Sequence, residues 1–180
     1  MDAEIEAWIS ETVLPDFGPQ VAYDEIALAW FRELHATAGP LTGEELWTAA
    51  ATHQFELAKD AVLAVYADLS ATITDRSLII APEIAGFVVR ISCDGDFSEH
   101  DGGRMLAFGQ SQALLEVATT VQDLLMQKYW MPWPECPQHE RALLAERGLP
   151  VPVWACRNGP HVVAPIGSLA RVLPPAASTG

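Results

Sequence analysis

Basic side chains are scarce in this chain. Lys and Arg together number 10 against 24 Asp and Glu, giving a formal net charge of −14. So strong an excess of acid argues against nucleic acid or an anionic membrane surface as the partner, because both would be repelled. Cysteine is scarcer still. The three present, Cys93, Cys136 and Cys156, are an odd number and too few for a disulfide scaffold. No apolar run approaches the roughly 20 residues that span a bilayer. The first residues, Met1-Asp-Ala-Glu-Ile-Glu, are acidic where a secretory leader would be basic. These absences predict a cytoplasmic protein away from the membrane. Complete catalytic motifs are also missing. There is no glycine-rich phosphate loop and no His-Glu-x-x-His. Gly109-Gln-Ser111-Gln-Ala113 is an incomplete nucleophile elbow inside a helical pattern.

What is present is apolar and patterned. Half of the 180 residues are hydrophobic, enough for a real core. Residues 2–14 carry a helical stripe of Ile5, Trp8, Ile9 and Thr12, capped by Asp2 and stopped by Pro15. A second helix over about 22–37 presents Tyr23, Ile26, Ala27, Trp30, Phe31 and Leu34. Thr42-Gly-Glu-Glu45 reads as a capping box. It opens a stripe of Trp47, Ala51, Gln54, Ala58, Ala61, Val65 and Leu69, read as one helix or as two broken near His53-Gln54. Ser77–Ile80 and Phe87–Ser92 are short and β-branched, the marks of a hairpin. Cys93 at its end reads as a buried small hydrophobe. Residues 104–129 predict the last long helix, with Leu106, Ala113, Leu114, Val117 and Val121 on its stripe.

Between hairpin and helix runs Asp94-Gly-Asp96-Phe-Ser-Glu99-His100-Asp101. Its start is like a calcium loop, but the sixth position is Glu99 rather than Gly and the twelfth is Met105 rather than Glu, which excludes an EF-hand. A solvated loop is the favoured reading, with acid/base or cation-holding work as the alternative.

The chemistry-bearing stretch lies near the C-terminus. Cys136-x2-His139 is followed, after 16 residues, by Cys156-x4-His161. Two Cys and two His in pairs suit a tetrahedral N/S shell, so we expect Zn2+ held by Cys136, His139, Cys156 and His161. The four-residue gap is wide for a tight turn, and His100 is the alternative fourth ligand. Arg141–Arg147 reads as one or two helical turns. Val151–Trp154 and Val162–Pro165 read as short strands. Trp130 and Trp133, just upstream, would pack on the body or face a ligand.

Charge also divides the chain. Residues 1–60 carry −10, residues 61–132 carry −5 and residues 133–180 carry +1. We therefore expect an α+β, mainly helical fold. An acidic helical domain with a small β element would cover 1–130, a zinc-ribbon-like module 131–170 and a flexible tail 171–180.

Val121-Gln-Asp123, Trp133-Pro-Glu-Cys-Pro-Gln-His139, Trp154-Ala-Cys156 and Ala164-Pro-Ile-Gly-Ser-Leu169 together resemble the C-terminal signature of a family of small, uncharacterised bacterial proteins. That signature runs Val-Gln-Asp, Trp-Pro-x-Cys-Pro-x-His, Trp-x-Cys, Ile-Gly-x-Leu, and the match covers just over a quarter of the chain. Family members often carry a second His soon after the first and a Pro directly after the last Cys. Here Arg141 and Arg157 stand in those places, a departure that bears on the fourth ligand. The resemblance implies the module and no activity. On these grounds we expect a non-enzymatic interaction or regulatory protein whose acidic body meets a basic protein partner. A zinc hydrolase with an open metal site, using Glu135 or Glu99 as base, is the alternative. Nucleic-acid binding through Arg141, Arg147, Arg157 and Trp154 ranks third.

Overall fold

The computed structural model describes residues 3–98 and 103–172. It is an α+β arrangement of helices with two small antiparallel sheets. The first helix begins as α1 (Ala3–Trp8) and passes through a π turn, Ile9–Val13, into α2 (Leu14–Phe17). Pro15 does not stop it, contrary to expectation. The wide turn restarts the ladder, so Pro15 falls in a new first turn where its missing N–H costs little. Gly18, at φ +91°, ends the helix. Asp2 lies outside the described residues.

Helix α3 is Glu25–Ala38. Asp24 caps it, its carboxylate accepting from the Ile26 and Ala27 amides at 3.0 Å each. This start is later than the stripe predicted. Tyr23 belongs to a preceding 3-10 turn, and Tyr23 and Ile26 point to solvent while Ala27 and Phe31 are buried. Helix α4, Gly43–Thr72, is one unbroken run. The anticipated capping box is absent: Thr42 makes no side-chain cap bond, and Gly43 beside it takes φ +49°. Its buried line of Ala51, Gln54, Ala58, Ala61, Val65 and Leu69 is the predicted stripe.

The hairpin is β1 (Ile80–Ala85) and β2 (Val88–Cys93), with Pro82 tolerated because β1 is an edge strand. A short β3, Asp96–Phe97, pairs with the end of β2. Asp94 and Gly95, at φ +51° and +81°, make the two-residue turn between them. Residues expected to open the last helix instead run extended beside β2, with Met105 N–H donating to the Val89 carbonyl at 2.8 Å. Gly103 explains this. It takes φ +66°, and a Cβ there would lie 2.7 Å from the Ile91 carbonyl oxygen. Helix α5 therefore spans only Gln110–Tyr129, and Leu106 is exposed. Glu116, on α5, holds the extended segment by accepting from the Leu106 and Ala107 amides.

After α5 come β4 (Leu144–Glu146), β5 (Val153–Cys156) and β6 (His161–Pro165), paired in that order. In place of the helical turns expected over 141–147 stands the strand Leu144–Glu146. The hydrophobic core falls into two clusters. One packs α1–α3 and the start of α4 around Trp8, Phe31, Leu46 and Phe108. The other joins α4, α5 and both sheets, and takes in Trp133, Leu143, Trp154, Ile166 and Leu169. Residues 133–169 therefore share their core with the helices.

Candidate metal centre

Two turns build the site. In the first, Cys136 N–H donates to the Arg141 carbonyl at 2.8 Å, and Glu140 N–H donates to the Cys136 carbonyl at 2.9 Å. An isolated bridge between Glu135 and Ala142 closes this turn from outside, and Glu140 takes the left-handed φ of +51°. Cys136 and His139 thus face one way from a tight loop. In the second, β5 ends at Cys156 and β6 begins at His161, and these two residues are register partners. The four residues between them are the hairpin loop. Partners across an antiparallel pair carry their side chains on one face, about 4.5–5.5 Å apart at Cβ. The gap that looked too wide for a tight turn is therefore what places both ligands together.

One ligand atom from each of Cys136, His139, Cys156 and His161 lies within 4.8 Å of all the others. The His139 Nδ1 is 3.5 Å from the Cys136 sulfur and 3.4 Å from the Cys156 sulfur. The His161 Nε2 is 3.7 Å from the Cys136 sulfur. Both cysteines are buried and both histidines half-buried. His161 Nδ1 contacts the Gly159 carbonyl, and a proton on that nitrogen would leave Nε2 with its lone pair for a cation. These four residues could hold a metal ion, and the donor set is chemically matched to one. The alternative ligand His100 lies outside the described residues, as do Glu99 and Asp101.

Electrostatics favour an anionic sulfur here. Burial pushes the Cys136 thiol up, but the backbone amides of Gln138 and His139, the His139 ring and Cys156 outweigh it and bring the thiol down to about 6. Cys93 shows the opposite case. Burial, with Asp94 beside it, pushes its thiol up to about 11, as suits an inert core cysteine.

Hydrogen bonds fix the site to the helices, the central ones at Asp68, which the sequence did not single out. Asp68 of α4 is buried, and its carboxylate accepts from the Trp154 indole N–H at 2.7 Å and from the Gly167 and Leu169 amides at 2.6 and 2.7 Å. Desolvation raises its pKa against those three bonds. Gln122 of α5 donates to the Trp133 and Leu143 carbonyls at 2.8 and 2.7 Å. The Trp133 indole donates to the Thr72 hydroxyl at 2.7 Å and packs edge-on against Trp154. Trp133 is thus core, while Trp130 is exposed. Gly159 clears room for a ligand ring: a Cβ there would sit 2.9 Å from His139 Cε1.

The acids of the 94–98 loop have other work. Asp94 accepts from the Tyr129 hydroxyl and the Ile79 amide, contacts that hold its carboxyl below the ordinary carboxylate range. Asp96 pairs with Lys128. Ser111 sits in the first turn of α5, not on a strand-to-helix elbow. No described helix is long and apolar enough to cross a membrane.

Fold and site together define an α+β chain with a two-Cys, two-His cluster in a C-terminal region tied by hydrogen bonds to its two longest helices. No family model, curated protein or solved structure matches the chain.

Proposed function

We propose that this chain is a non-enzymatic interaction or regulatory protein of the cytoplasm, in which a structural Zn2+ braces a zinc-ribbon-like C-terminal module. The observation that carries this reading is the closed donor set, four N/S atoms mutually within 4.8 Å from two turns. Zinc bonds of about 2.3 Å to sulfur and 2.0–2.1 Å to nitrogen imply tetrahedral S···N edges of about 3.6 Å. Three of the four S···N separations, at 3.4, 3.5 and 3.7 Å, fall around that value. A full shell leaves no position for a reactive water, which favours support over catalysis. The resemblance of residues 121–169 to small bacterial proteins agrees with this reading, since its tryptophans and Gln122 act as struts for the same module. The −14 charge supports a basic protein as partner.

The zinc hydrolase reading rests on one observation. An open cavity of about 490 Å3 lies beside Cys156 and His161 and is lined by Glu146. Glu146, however, is paired with Arg157. Cobalt(II) substitution separates the two readings. A closed site should keep its four-coordinate visible spectrum unchanged when azide or cyanide is added. A spectral shift on adding either anion would mark an exchangeable position and favour the hydrolase.

A further inference from the structure

An open groove of about 540 Å3 runs between the start of α3, the start of α5 and the loop joining β4 to β5. Several large apolar side chains at its rim are exposed. Tyr23 is 89 % exposed, Ile26 is 55 % exposed and Leu149 is fully exposed. Val151, next to the groove's Pro150 and Pro152, is also exposed. Large apolar side chains grouped in this way mark a contact surface, since single ones scatter but clusters are costly to leave in water. The loop that presents Leu149 is stiff, because prolines on either side of Val151 fix two of its backbone angles. Stiffness lowers the entropy lost when a partner seats on it.

We propose that this groove docks a basic, amphipathic segment of a protein partner, an assignment that rests on the interaction-protein reading above. Charge selects the occupant. The charged lining residues are Asp24, Glu25 and Arg147, and the first 60 residues, to which both acids belong, carry −10. A second copy would bring another −14 against the same face. Nucleic acid and anionic lipid would be repelled. A segment with an apolar face for Tyr23, Ile26 and Leu149 and a Lys/Arg face for Asp24 and Glu25 satisfies both terms.

The test uses the full, metal-loaded chain and a designed helical peptide with Leu on one face and Lys on the other. A counterpart carries Glu in place of Lys. Titration calorimetry should find binding of the Leu/Lys peptide and none of the Leu/Glu peptide. The double variant Tyr23→Ser/Leu149→Ser, at two solvent-facing sites, should weaken binding by about tenfold or more. Leu63→Ser, an exposed leucine of α4 away from the groove, should leave affinity unchanged. Glu25→Lys should weaken binding by at least about threefold without removing any apolar anchor. Equal affinity in the double variant and in Glu25→Lys would overturn the groove while leaving an acidic interaction surface elsewhere. Equal binding of both peptides would overturn the charge selection. No binding of either peptide would remove the groove and the basic-partner reading together, and would leave the metal centre untouched.

Discussion

The two ends of the molecule are held by different physics. The N-terminal cluster is a nest of rings. Phe31 is fully buried, with its ring 5.0 Å from Phe108 and 4.9 Å from Trp30, and Phe17 stacks on Trp47 at 4.1 Å. Its stability comes from buried apolar area and ring packing. The 133–169 region also buries rings, but it leans on polar struts. Asp68, Gln122 and Thr72 reach out from the helices to hold it, and two turns bring together four side chains that could hold a metal ion. Strands of three to five residues cannot bury enough surface to hold such a region alone. A region built on packing should therefore tolerate chelators, and one built around a metal should not.

If the proposed zinc is bound, the largest effect should come from removing it. Structural zinc is worth about 10–16 kcal/mol in apparent terms, so chelation or Cys136→Ala should strip amide-exchange protection from 133–169 while α1–α3 keep theirs. Protection lost uniformly along the chain would erase the contrast. Next, Phe31→Ala should cost about 3–5 kcal/mol in denaturant unfolding, with metal content unchanged, because it empties the centre of the other cluster. Asp68→Asn comes third. An amide cannot accept all three bonds that the carboxylate accepts, so stability should drop by about 2–3 kcal/mol, and metal affinity should fall with it. Here the two readouts are coupled, whereas for Phe31 they are separate.

Gly159→Ala should act on metal affinity more than on the fold, since the atoms nearest an added Cβ belong to the His139 ring. We expect a loss of about tenfold in competition with a colorimetric chelator. The smallest effect concerns neither cluster. Asp94 has its carboxyl lowered by the Tyr129 hydroxyl and the Ile79 amide. A lowered carboxyl adds stability that is full above its unfolded value, near 4, and is lost as pH falls through the folded one. Asp94→Asn should therefore flatten the acid limb of a stability–pH curve below about pH 4 and shift the neutral plateau only slightly. A steeper limb would contradict the assignment.

Much of this was legible in the sequence. Three- and four-residue spacing revealed α3, α4 and α5, and the Cys/His spacing named the four residues that converge. What was not legible depends on neighbours that sequence periodicity does not report. The start of α5 is delayed because Gly103 must pass the Ile91 carbonyl. The four-residue gap before His161 looked loose until strand register made Cys156 its partner. Two signals were open to reading. Asp94-Gly95 is a two-residue hairpin turn in plain composition, although the acids that follow it give the stretch the look of a polar loop. Asp68 is an acid near the C-terminal end of a helix, on its buried side, where the macrodipole disfavours negative charge. Such a residue is held there by something else, in this case Trp154 and two backbone amides.

The most direct test is metal content per chain, measured by native mass spectrometry on the wild type, Cys136→Ala and His161→Ala, with melting temperatures alongside. The account predicts one zinc in the wild type, none in either variant, and a lower melting temperature in both. One zinc retained by His161→Ala would mean a shell completed some other way and an open site. A wild type that binds no metal and melts unchanged in both variants would contradict the claim that a metal holds this end of the molecule.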